Sequence, residues 1–285
     1  MKVKLASKHG FCFGVEDAIE LAEKTAREAK PGRAVALGPV IHNRQVVEKL
    51  EQAGLEQSAE LEKLEPGTTV LIRSHGARPE TLAAAKQRGL KIVDATCVLV
   101  KRAQAVVQQL HDEGYRVVMI GDRNHPEVRG VIGYAPDVIV VDSEAELDEA
   151  LPRRGKLGIV AQTTHTPEHV GRIVGAIVAR PFREVKVVNT LCLEVIRRQE
   201  AAVALSKEVD VMFVLGGMHS ANTQELARLC IAEGVPTYHL EAWDQFRPEM
   251  VKDRTTAGVT AGASTPEWII TEFVRGLEAF EPAGT

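Results

Sequence analysis

The stretch VVMIGDRNHPEV (residues 117–128) decides the fold class, because its pattern recurs at two other places in the chain. An apolar, β-branched run ends in Gly and is followed within a few residues by His125. The same order appears in AVALGPVIHNRQ (34–45) with His42, and in VMFVLGGMHSANTQ (211–224) with His219. Short apolar runs bounded by Gly and polar residues are typical of buried strands. The sequence therefore predicts three copies of one structural unit.

A second landmark follows in each copy, where another apolar run leads through a polar turn to a Pro-Glu pair. Pro at the first helical position with Glu beside it marks the start of a helix. Strands that alternate with such helices predict an α/β fold with parallel sheets and right-handed crossovers. The three segments are TVLIRSHGARPE (69–80), LGIVAQTTHTPE (157–168) and AGVTAGASTPEW (257–268).

A cysteine precedes each copy, and the three are spaced almost evenly. Cys12, Cys97 and Cys192 are 85 and 95 residues apart, and the histidines follow them after 30, 28 and 27 residues. Each cysteine lies at a predicted strand-to-helix junction. Because parallel sheets bind ligands beyond the carboxyl ends of their strands, three modules packed around an axis would direct these landmarks to one central cavity.

These landmarks divide the chain into three predicted α/β modules. The first covers residues 13–97 and the second residues 98–190. The third combines residues 1–12 with 191–285, because the N-terminal strand is expected to join the C-terminal unit. The last residues, EPAGT, are predicted to form a disordered tail.

Composition and charge exclude several classes of protein. The chain of 285 residues has 45% hydrophobic and 26% charged residues, as ordinary globular proteins do. Aromatic residues make up only 4%, so the core is expected to consist mainly of Val, Ile, Leu and Ala. The net charge of −4 is spread without a basic patch, which argues against nucleic-acid binding. No signal peptide and no apolar run of ~20 residues is present, so we expect a cytoplasmic protein without a membrane partner.

The three spaced cysteines are candidate metal ligands. Thiolates at strand-to-helix junctions gain from backbone N–H groups and the helix dipole. Single, distant cysteines exclude a zinc ribbon, and a cytoplasmic disulfide is disfavoured. Three thiolates suit a [4Fe–4S] cluster with one iron left for substrate, but a Cys3His zinc site stays open on spacing alone. Cys230, inside the helical pattern TQELARLCIAEG, is predicted to be a buried core residue.

Nearly the whole chain resembles the LytB/IspH family, and the resemblance rests on several motifs taken together. It implies a trefoil of three α/β modules around a central [4Fe–4S] cluster, one per chain, with one iron free of protein ligands. The matching segments are GFCFGV (10–15), LGPVIHNRQVVEKL (37–50), IRSHG (72–76), DATC (94–97), NHPEVRG (124–130), QTT (162–164), Asn189 and Thr190 before Cys192, RQEA (198–201), SAN (220–222) and GVTAGAS (258–264).

The resemblance also implies an activity. The expected reaction is the reductive dehydroxylation of (E)-4-hydroxy-3-methylbut-2-enyl diphosphate to isopentenyl and dimethylallyl diphosphate. This is the last step of the methylerythritol phosphate route to isoprenoids. Because the chain has no flavin or nicotinamide fingerprint, we expect a partner such as ferredoxin or flavodoxin to deliver the electrons.

Residue by residue, the resemblance assigns three sets of roles. It implies that the spaced cysteines bind the cluster and that six polar residues bind the diphosphate. It also implies that one carboxyl relays a proton and that a neighbouring hydroxyl positions this carboxyl. The cluster ligands are Cys12, Cys97 and Cys192; the diphosphate ligands are His42, His75, His125, Ser220, Asn222 and Ser264; the proton-relay acid is Glu127, and Thr163, also a substrate contact, is the hydroxyl beside it.

Four residues depart from the family pattern. His219 and Ala221 stand where the family has Asn and Ser, and Glu194 and Val195 stand where it has Ala and Thr. They motivate an alternative, a divergent member with the same cluster that reduces or dehydrates a different small molecule. A second alternative is a non-enzymatic metal or redox sensor. Such a protein needs a responsive surface or a nucleic-acid partner, and the sequence has neither a basic patch nor a second domain.

Overall fold

The structure is a computed structural model and describes residues 1–30 and 32–280, so the predicted tail EPAGT lies outside the described residues. The described residues form twelve strands and ten α-helices. The strands are β1 (Lys2–Leu5), β2 (Ala34–Leu37), β3 (Glu56–Ser58), β4 (Thr69–Ile72), β5 (Lys91–Asp94), β6 (Arg116–Ile120), β7 (Ile139–Val141), β8 (Lys156–Ala161), β9 (Glu184–Val187), β10 (Val211–Leu215), β11 (Thr237–Leu240) and β12 (Thr256–Ala261). The helices are α1 (Phe13–Glu28), α2 (Arg44–Gln52), α3 (Pro79–Gln87), α4 (Val98–Asp112), α5 (Pro126–Val131), α6 (Leu147–Ala150), α7 (Pro167–Val178), α8 (Leu193–Ser206), α9 (Ala221–Ala232) and α10 (Glu267–Ala279).

The strands form three parallel four-stranded sheets with one repeated order. The sheets run β3-β2-β4-β5, β7-β6-β8-β9 and β11-β10-β12-β1. All neighbouring pairs are parallel, and β1 pairs with β12 in the place that β5 and β9 hold in the other two sheets. The prediction of three α/β modules with parallel sheets is therefore confirmed.

Contacts divide the chain into two compact units. The first unit comprises Met1–Glu16, Ile41–Glu48 and Leu193–Thr285 and holds the sheet that contains β1. The second unit comprises Asp17–Val40 and Lys49–Cys192 and holds the other two sheets. The predicted module boundaries near residues 12, 97 and 190 stay a prediction.

In the second unit, the apolar run VVMI (117–120) has both of its faces buried. Val117 and Met119 pack into one apolar cluster, whereas Val118 and Ile120 pack into another. Successive side chains of a strand point to opposite faces, so a central strand covered by helices on both sides requires apolar residues at every position. The uninterrupted VVMI run follows from this geometry.

In the first unit, one face of the sheet departs from the predicted aliphatic core. Phe213 on β10 is fully buried, and its ring lies 5.2 Å from that of Phe273 on α10. Trp243 stacks on Phe246 at 4.6 Å between ring centroids. A Cβ at Gly276 would lie 2.6 Å from the Trp243 ring, so this helix position requires glycine. Half of the chain's twelve aromatic residues lie in this one cluster, namely Phe213, Tyr238, Trp243, Phe246, Phe273 and Phe280.

Two of the three predicted helix starts are confirmed, and the third is displaced by one residue. Helices α3 and α7 begin at Pro79 and Pro167. Pro266 instead precedes α10, with extended backbone angles of φ −73° and ψ 154°. A proline tolerates either place, because its missing N–H has no intrahelical partner in the first turn.

Within residues 1–30 and 32–280, no helix combines the length and the apolar character that crossing a bilayer requires.

Candidate active site

Each of the three spaced cysteines makes the same backbone hydrogen bond within its own unit. Its amide donates to a carbonyl that lies two residues beyond the end of a central strand, namely β4, β8 or β12. Each cysteine is therefore hydrogen-bonded to a segment whose next residue is polar. These next residues are His75, Thr164 and Ser264. The bonds are Cys97 N to Ser74 O at 3.0 Å, Cys192 N to Thr163 O at 2.9 Å and Cys12 N to Ala263 O at 3.3 Å.

The cysteines also share a place at the start of a helix. Cys12, Cys97 and Cys192 immediately precede α1, α4 and α8. Backbone N–H groups at a helix start stabilise a thiolate, which is the form that binds iron or zinc. Each of the three thiols is therefore suited to act as a metal ligand.

Side chains just ahead of two cysteines fix the turns that lead to them. Asp94 Oδ1 accepts a hydrogen bond from Thr96 N at 3.0 Å, and Asn189 Oδ1 accepts one from Leu191 N at 3.0 Å. Both are bonds to the amide two residues on, which close a turn before the cysteine.

The fourth cysteine differs in every respect. Cys230 is fully buried in α9 and packs against Leu226 and Met212 in the core of the first unit. Burial, with a smaller contribution from Glu233, raises the pKa of its thiol to about 12. A thiol that stays protonated in an apolar core is a packing residue, as the sequence predicts.

Glu127 and Thr163 form a closely bonded pair inside the second unit. Thr163 donates its amide to Glu127 Oε1 at 2.8 Å and its hydroxyl to Oε2 at 2.7 Å. Only 2% of Glu127 is exposed. Because the Thr163 carbonyl accepts the Cys192 amide, the acid is two hydrogen bonds away from a candidate metal ligand.

The environment of Glu127 favours the protonated carboxyl. Burial raises its pKa above the ordinary value of 4.5, against the two Thr163 bonds and the charge of His165, which lower it. His165 is itself paired with Asp142 at 2.9 Å. A buried carboxyl that keeps its proton above the usual range is suited to donate it.

His75 and His125 lie together in the second unit, with ring centroids 5.5 Å apart in an edge-to-face arrangement. The Nδ1 atom of His125 accepts the Glu127 amide at 3.2 Å, so a neutral imidazole carries its proton on Nε2. A Cβ at Gly130 would lie 3.2 Å from the His75 carbonyl, which explains the glycine in NHPEVRG. The two loops are therefore packed closely, and their imidazoles can act jointly as donors to an anion.

In the first unit, His42 and Ser264 are also in contact. The Ser264 hydroxyl donates to the His42 carbonyl at 3.4 Å. A side chain at Gly217 would overlap this same carbonyl. Gly217 thus permits the close approach of the His42 segment, a role that the sequence alone does not indicate.

The start of α9 presents polar groups that the protein leaves unsatisfied. Ser220 caps the helix by accepting the Thr223 amide at 3.4 Å. The side-chain oxygen and nitrogen of Asn222 are shielded from solvent and have no hydrogen-bond partner among the described residues. Because buried amides are nearly always paired, the Asn222 side chain is available to bond a ligand or a water at this helix start.

The four departures from the family pattern take different places. The Glu194 carboxylate pairs with Arg197 at 3.0 Å and lies 3.9 Å from Arg198, so its charge is balanced. Val195 is buried in the first turn of α8. Ala221 is the first residue of α9, and His219 is exposed. Only Ala221 adjoins the unsatisfied Asn222.

Arg198 is a buried residue of the first unit to which sequence reasoning gave no role. Only 3% of it is exposed. Its Nη2 donates to Gly10 O at 3.0 Å and to Phe11 O at 2.9 Å, the two residues before Cys12. One signal was available, since Arg198 falls on the same helix face as the apolar Val195 and Ala202, where a charged residue needs a partner.

We expect Arg198→Gln to lower the free energy of unfolding by about 1–3 kcal/mol, because it leaves buried carbonyls without their donor. Urea denaturation of the variant measures this change. Arg197→Gln is the matched control, since Arg197 is the exposed neighbour that also pairs with Glu194, and its effect should stay within about 0.5 kcal/mol. Equal effects of the two substitutions would contradict the role given to Arg198.

Comparisons with known proteins agree over almost the whole chain. Residues 3–278 match the family described as LytB protein. The protein named 4-hydroxy-3-methylbut-2-enyl diphosphate reductase from Citrifermentans bemidjiense is 44% identical over 281 residues, which cover 99% of this chain and 98% of the relative. The protein of the same name from Caldanaerobacter subterraneus subsp. tengcongensis is 41% identical over 283 residues, covering 99% and 98%.

Two solved structures are similar as well. One, described as (E)-4-hydroxy-3-methyl-but-2-enyl diphosphate reductase, the terminal enzyme of the non-mevalonate pathway, is 41% identical with a TM-score of 0.71, covering 98% of this chain and 100% of that one. The other is the E-1-hydroxy-2-methyl-but-2-enyl-4-diphosphate reductase from Plasmodium falciparum. It is 28% identical with a TM-score of 0.90, covering 96% and 87%.

Proposed function

The chain belongs to the LytB protein family, and on that premise we propose that it is a 4-hydroxy-3-methylbut-2-enyl diphosphate reductase. It converts (E)-4-hydroxy-3-methylbut-2-enyl diphosphate to isopentenyl and dimethylallyl diphosphate by reductive dehydroxylation, the last step of the methylerythritol phosphate route to isoprenoids. The observation that carries the proposal is the 44% identity to a reductase of this name over 99% of the chain.

The proposed cofactor is one [4Fe–4S] cluster per chain, held by Cys12, Cys97 and Cys192. Three thiols at helix starts, each with the same backbone hydrogen bond, support this donor set. Three thiolates leave one iron without a protein ligand. When bound, the cluster supplies the electrons of the reduction and a Lewis-acidic iron for the substrate hydroxyl. We propose ferredoxin or flavodoxin as the donor of those electrons.

The proposed diphosphate ligands are three imidazoles, two hydroxyls and one amide. In the second unit, the paired imidazoles of His75 and His125 offer N–H donors. In the first unit, His42, Ser220, Asn222 and Ser264 take this role, and the unsatisfied amide of Asn222 is the strongest support for it. Imidazole N–H, hydroxyl and helix-start N–H groups together bind a phosphate dianion well.

The proposed proton source is Glu127. Its buried carboxyl keeps a proton above the usual pH range, and the two bonds from Thr163 fix both oxygens. Thr163 is therefore the positioning hydroxyl of the pair. The reduction consumes two electrons and two protons, one proton for the hydroxyl that leaves as water and one for the allylic carbon. The buried acid can donate a proton without admitting solvent.

The relatives favour this reductase over the alternative of a divergent enzyme with another substrate. Three of the four residues that differ from the family pattern have structural positions that require no other substrate. Glu194 forms an ion pair with Arg197, Val195 is buried and His219 is exposed. All four relatives named above are described as reductases, so they give no support to the alternative of a metal or redox sensor.

The test is an anaerobic assay of the cluster-loaded protein with (E)-4-hydroxy-3-methylbut-2-enyl diphosphate and a strong chemical reductant. We expect isopentenyl and dimethylallyl diphosphate as products, detected by mass spectrometry. The same protein without reductant is the control. A fully loaded, reducible protein that releases neither product would overturn the proposal.

We expect Ala221→Ser to lower the KM for this substrate by about 2- to 12-fold, with kcat unchanged, because it adds one hydroxyl beside Asn222 and one hydrogen bond contributes about 0.5–1.5 kcal/mol. Steady-state kinetics measure the change. Ala232→Ser, at the exposed far end of the same helix, is the control and should leave KM unchanged. An unaltered KM in both variants would show that residue 221 does not face the diphosphate.

A further inference from the structure

The second unit contains a cavity of about 400 Å³. None of the residues that we propose as substrate ligands lines it. Arg73, Arg78 and Arg129 line it, and Glu62 is the only acidic residue in the part of its lining that the structure describes. The volume lies in the range of pockets that bind small molecules. With three arginines and one glutamate, the described lining has an excess of positive charge.

None of the three arginines forms an ion pair with a carboxylate among residues 1–30 and 32–280. Neutral acceptors hold two of them in place. Arg78 Nε donates to the Arg129 carbonyl at 2.9 Å, and Arg129 Nη2 donates to Asn124 Oδ1 at 3.4 Å. These bonds orient the side chains without neutralising them, so the cavity keeps an excess of positive charge.

Arg73 is the most enclosed of the three. It is half-buried, and its guanidinium has no hydrogen bond in the part of the chain that the structure describes. A Cβ at Gly38, where φ is +80°, would lie 3.3 Å from Arg73 Nη1, so this glycine gives the guanidinium room. Burial and the charge of Arg129 both lower the pKa of Arg73. An anion in the cavity would offset both costs, because it replaces lost hydration and screens the repulsion between the two cations.

We propose that this cavity binds a small phosphorylated molecule through Arg73, Arg78 and Arg129. Planar guanidinium groups match phosphate oxygens with paired hydrogen bonds, which distinguishes arginine from lysine at such sites. The cavity is larger than one phosphate group requires, so it has room for a diphosphate or for an organic part.

The cavity adjoins the loops that carry the paired histidines. Pro126, beside His125, and Gly130, which packs on the His75 carbonyl, both line it. A bound anion would hold these two loops against each other. This coupling to the reaction rests on the proposed function, whereas binding in the cavity does not.

The test is anaerobic titration calorimetry of the cluster-loaded protein with inorganic diphosphate at low ionic strength. We expect two classes of site. Arg73→Gln should weaken one class at least about tenfold, since it removes a charge-assisted contact, and Ser220→Ala with Asn222→Ala should remove the other. Arg102→Gln is the matched control, because Arg102 is exposed on α4 outside the cavity and should leave both classes intact.

Two outcomes would overturn the inference. One is diphosphate binding that is unchanged in both Arg73→Gln and Arg129→Gln. The other is loss of all binding in the Ser220→Ala, Asn222→Ala variant. Arg129→Gln also guards against misfolding of a single variant, and a melting temperature equal to that of Arg102→Gln shows that each protein is folded. A protein that makes no isoprenoid diphosphate but keeps arginine-dependent binding would separate failure of the proposed function from failure of this inference.

Discussion

The substitution Cys97→Ser is expected to reduce turnover of the hydroxymethylbutenyl diphosphate to background and to lower the iron content of the reconstituted protein well below ~4 per chain. A serine hydroxyl stays protonated at neutral pH and is a poor ligand for iron, whereas a thiolate at a helix start is a good one. The same result is expected for Cys12→Ser and Cys192→Ser, because all three cysteines make the same backbone bond. Iron analysis and visible absorption after anaerobic reconstitution measure the effect.

Cys230→Ser is the matched control. Its thiol lies in the apolar core, and burial raises its pKa to about 12, so it should contribute nothing to iron binding. The variant is expected to keep its iron and activity and to lose about 1–3 kcal/mol of stability, since a buried hydroxyl is costly without a partner. Full iron content in any of the other three serine variants would contradict the proposed ligand set.

Glu127→Gln is expected to lower kcat by about 10²- to 10⁴-fold with little change in KM, which is the usual contribution of a positioned acid. Glutamine has nearly the same shape and its carbonyl oxygen can still accept the Thr163 amide, so the pocket should keep its structure. Single-turnover kinetics of the loaded, reduced enzyme separate this step from product release.

Glu168→Gln is the matched control for this variant. Glu168 is the second residue of α7 after Pro167, just as Glu127 is the second residue of α5 after Pro126, but it is exposed. Its replacement should leave kcat unchanged. Comparable rates for wild type and Glu127→Gln would remove Glu127 from the mechanism.

The raised pKa of Glu127 also predicts a pH dependence with a definite sign. The folded state holds this proton more tightly than the unfolded chain, whose carboxyl titrates near 4.5. The stabilisation is complete below that value and is lost as pH rises toward the folded pKa. Glutamine does not titrate, so the variant should gain stability relative to wild type as pH increases above 4.5. Thermal unfolding of both proteins across this range measures the difference, and a difference independent of pH would contradict the buried acid.

The sequence by itself determined the repeated local structure. Strand and helix follow from the apolar runs, the Pro-Glu helix starts and the glycines, because hydrogen bonding and side-chain direction repeat over a few residues in each element. The spacing of Cys12, Cys97 and Cys192 then located three equivalent strand-to-helix junctions, and each has the same backbone bond. The family motifs indicated Glu127 and Thr163 as neighbours, although these residues are 36 positions apart.

Only the tertiary structure decided which distant groups satisfy each other. Arg198 reaches the carbonyl of Gly10 across 188 positions, and no local pattern encodes that partner. The aromatic face around Phe213 and the convergence of Arg73 with Arg129 arise in the same way. The physical reason is that the cost of a buried charge, an unpaired amide or a filled core depends on what other segments bring to the same place. The even spacing of cysteines identifies candidate ligands, whereas packing decides that Glu127 is buried, that the Asn222 amide is unpaired and that three arginines line one cavity.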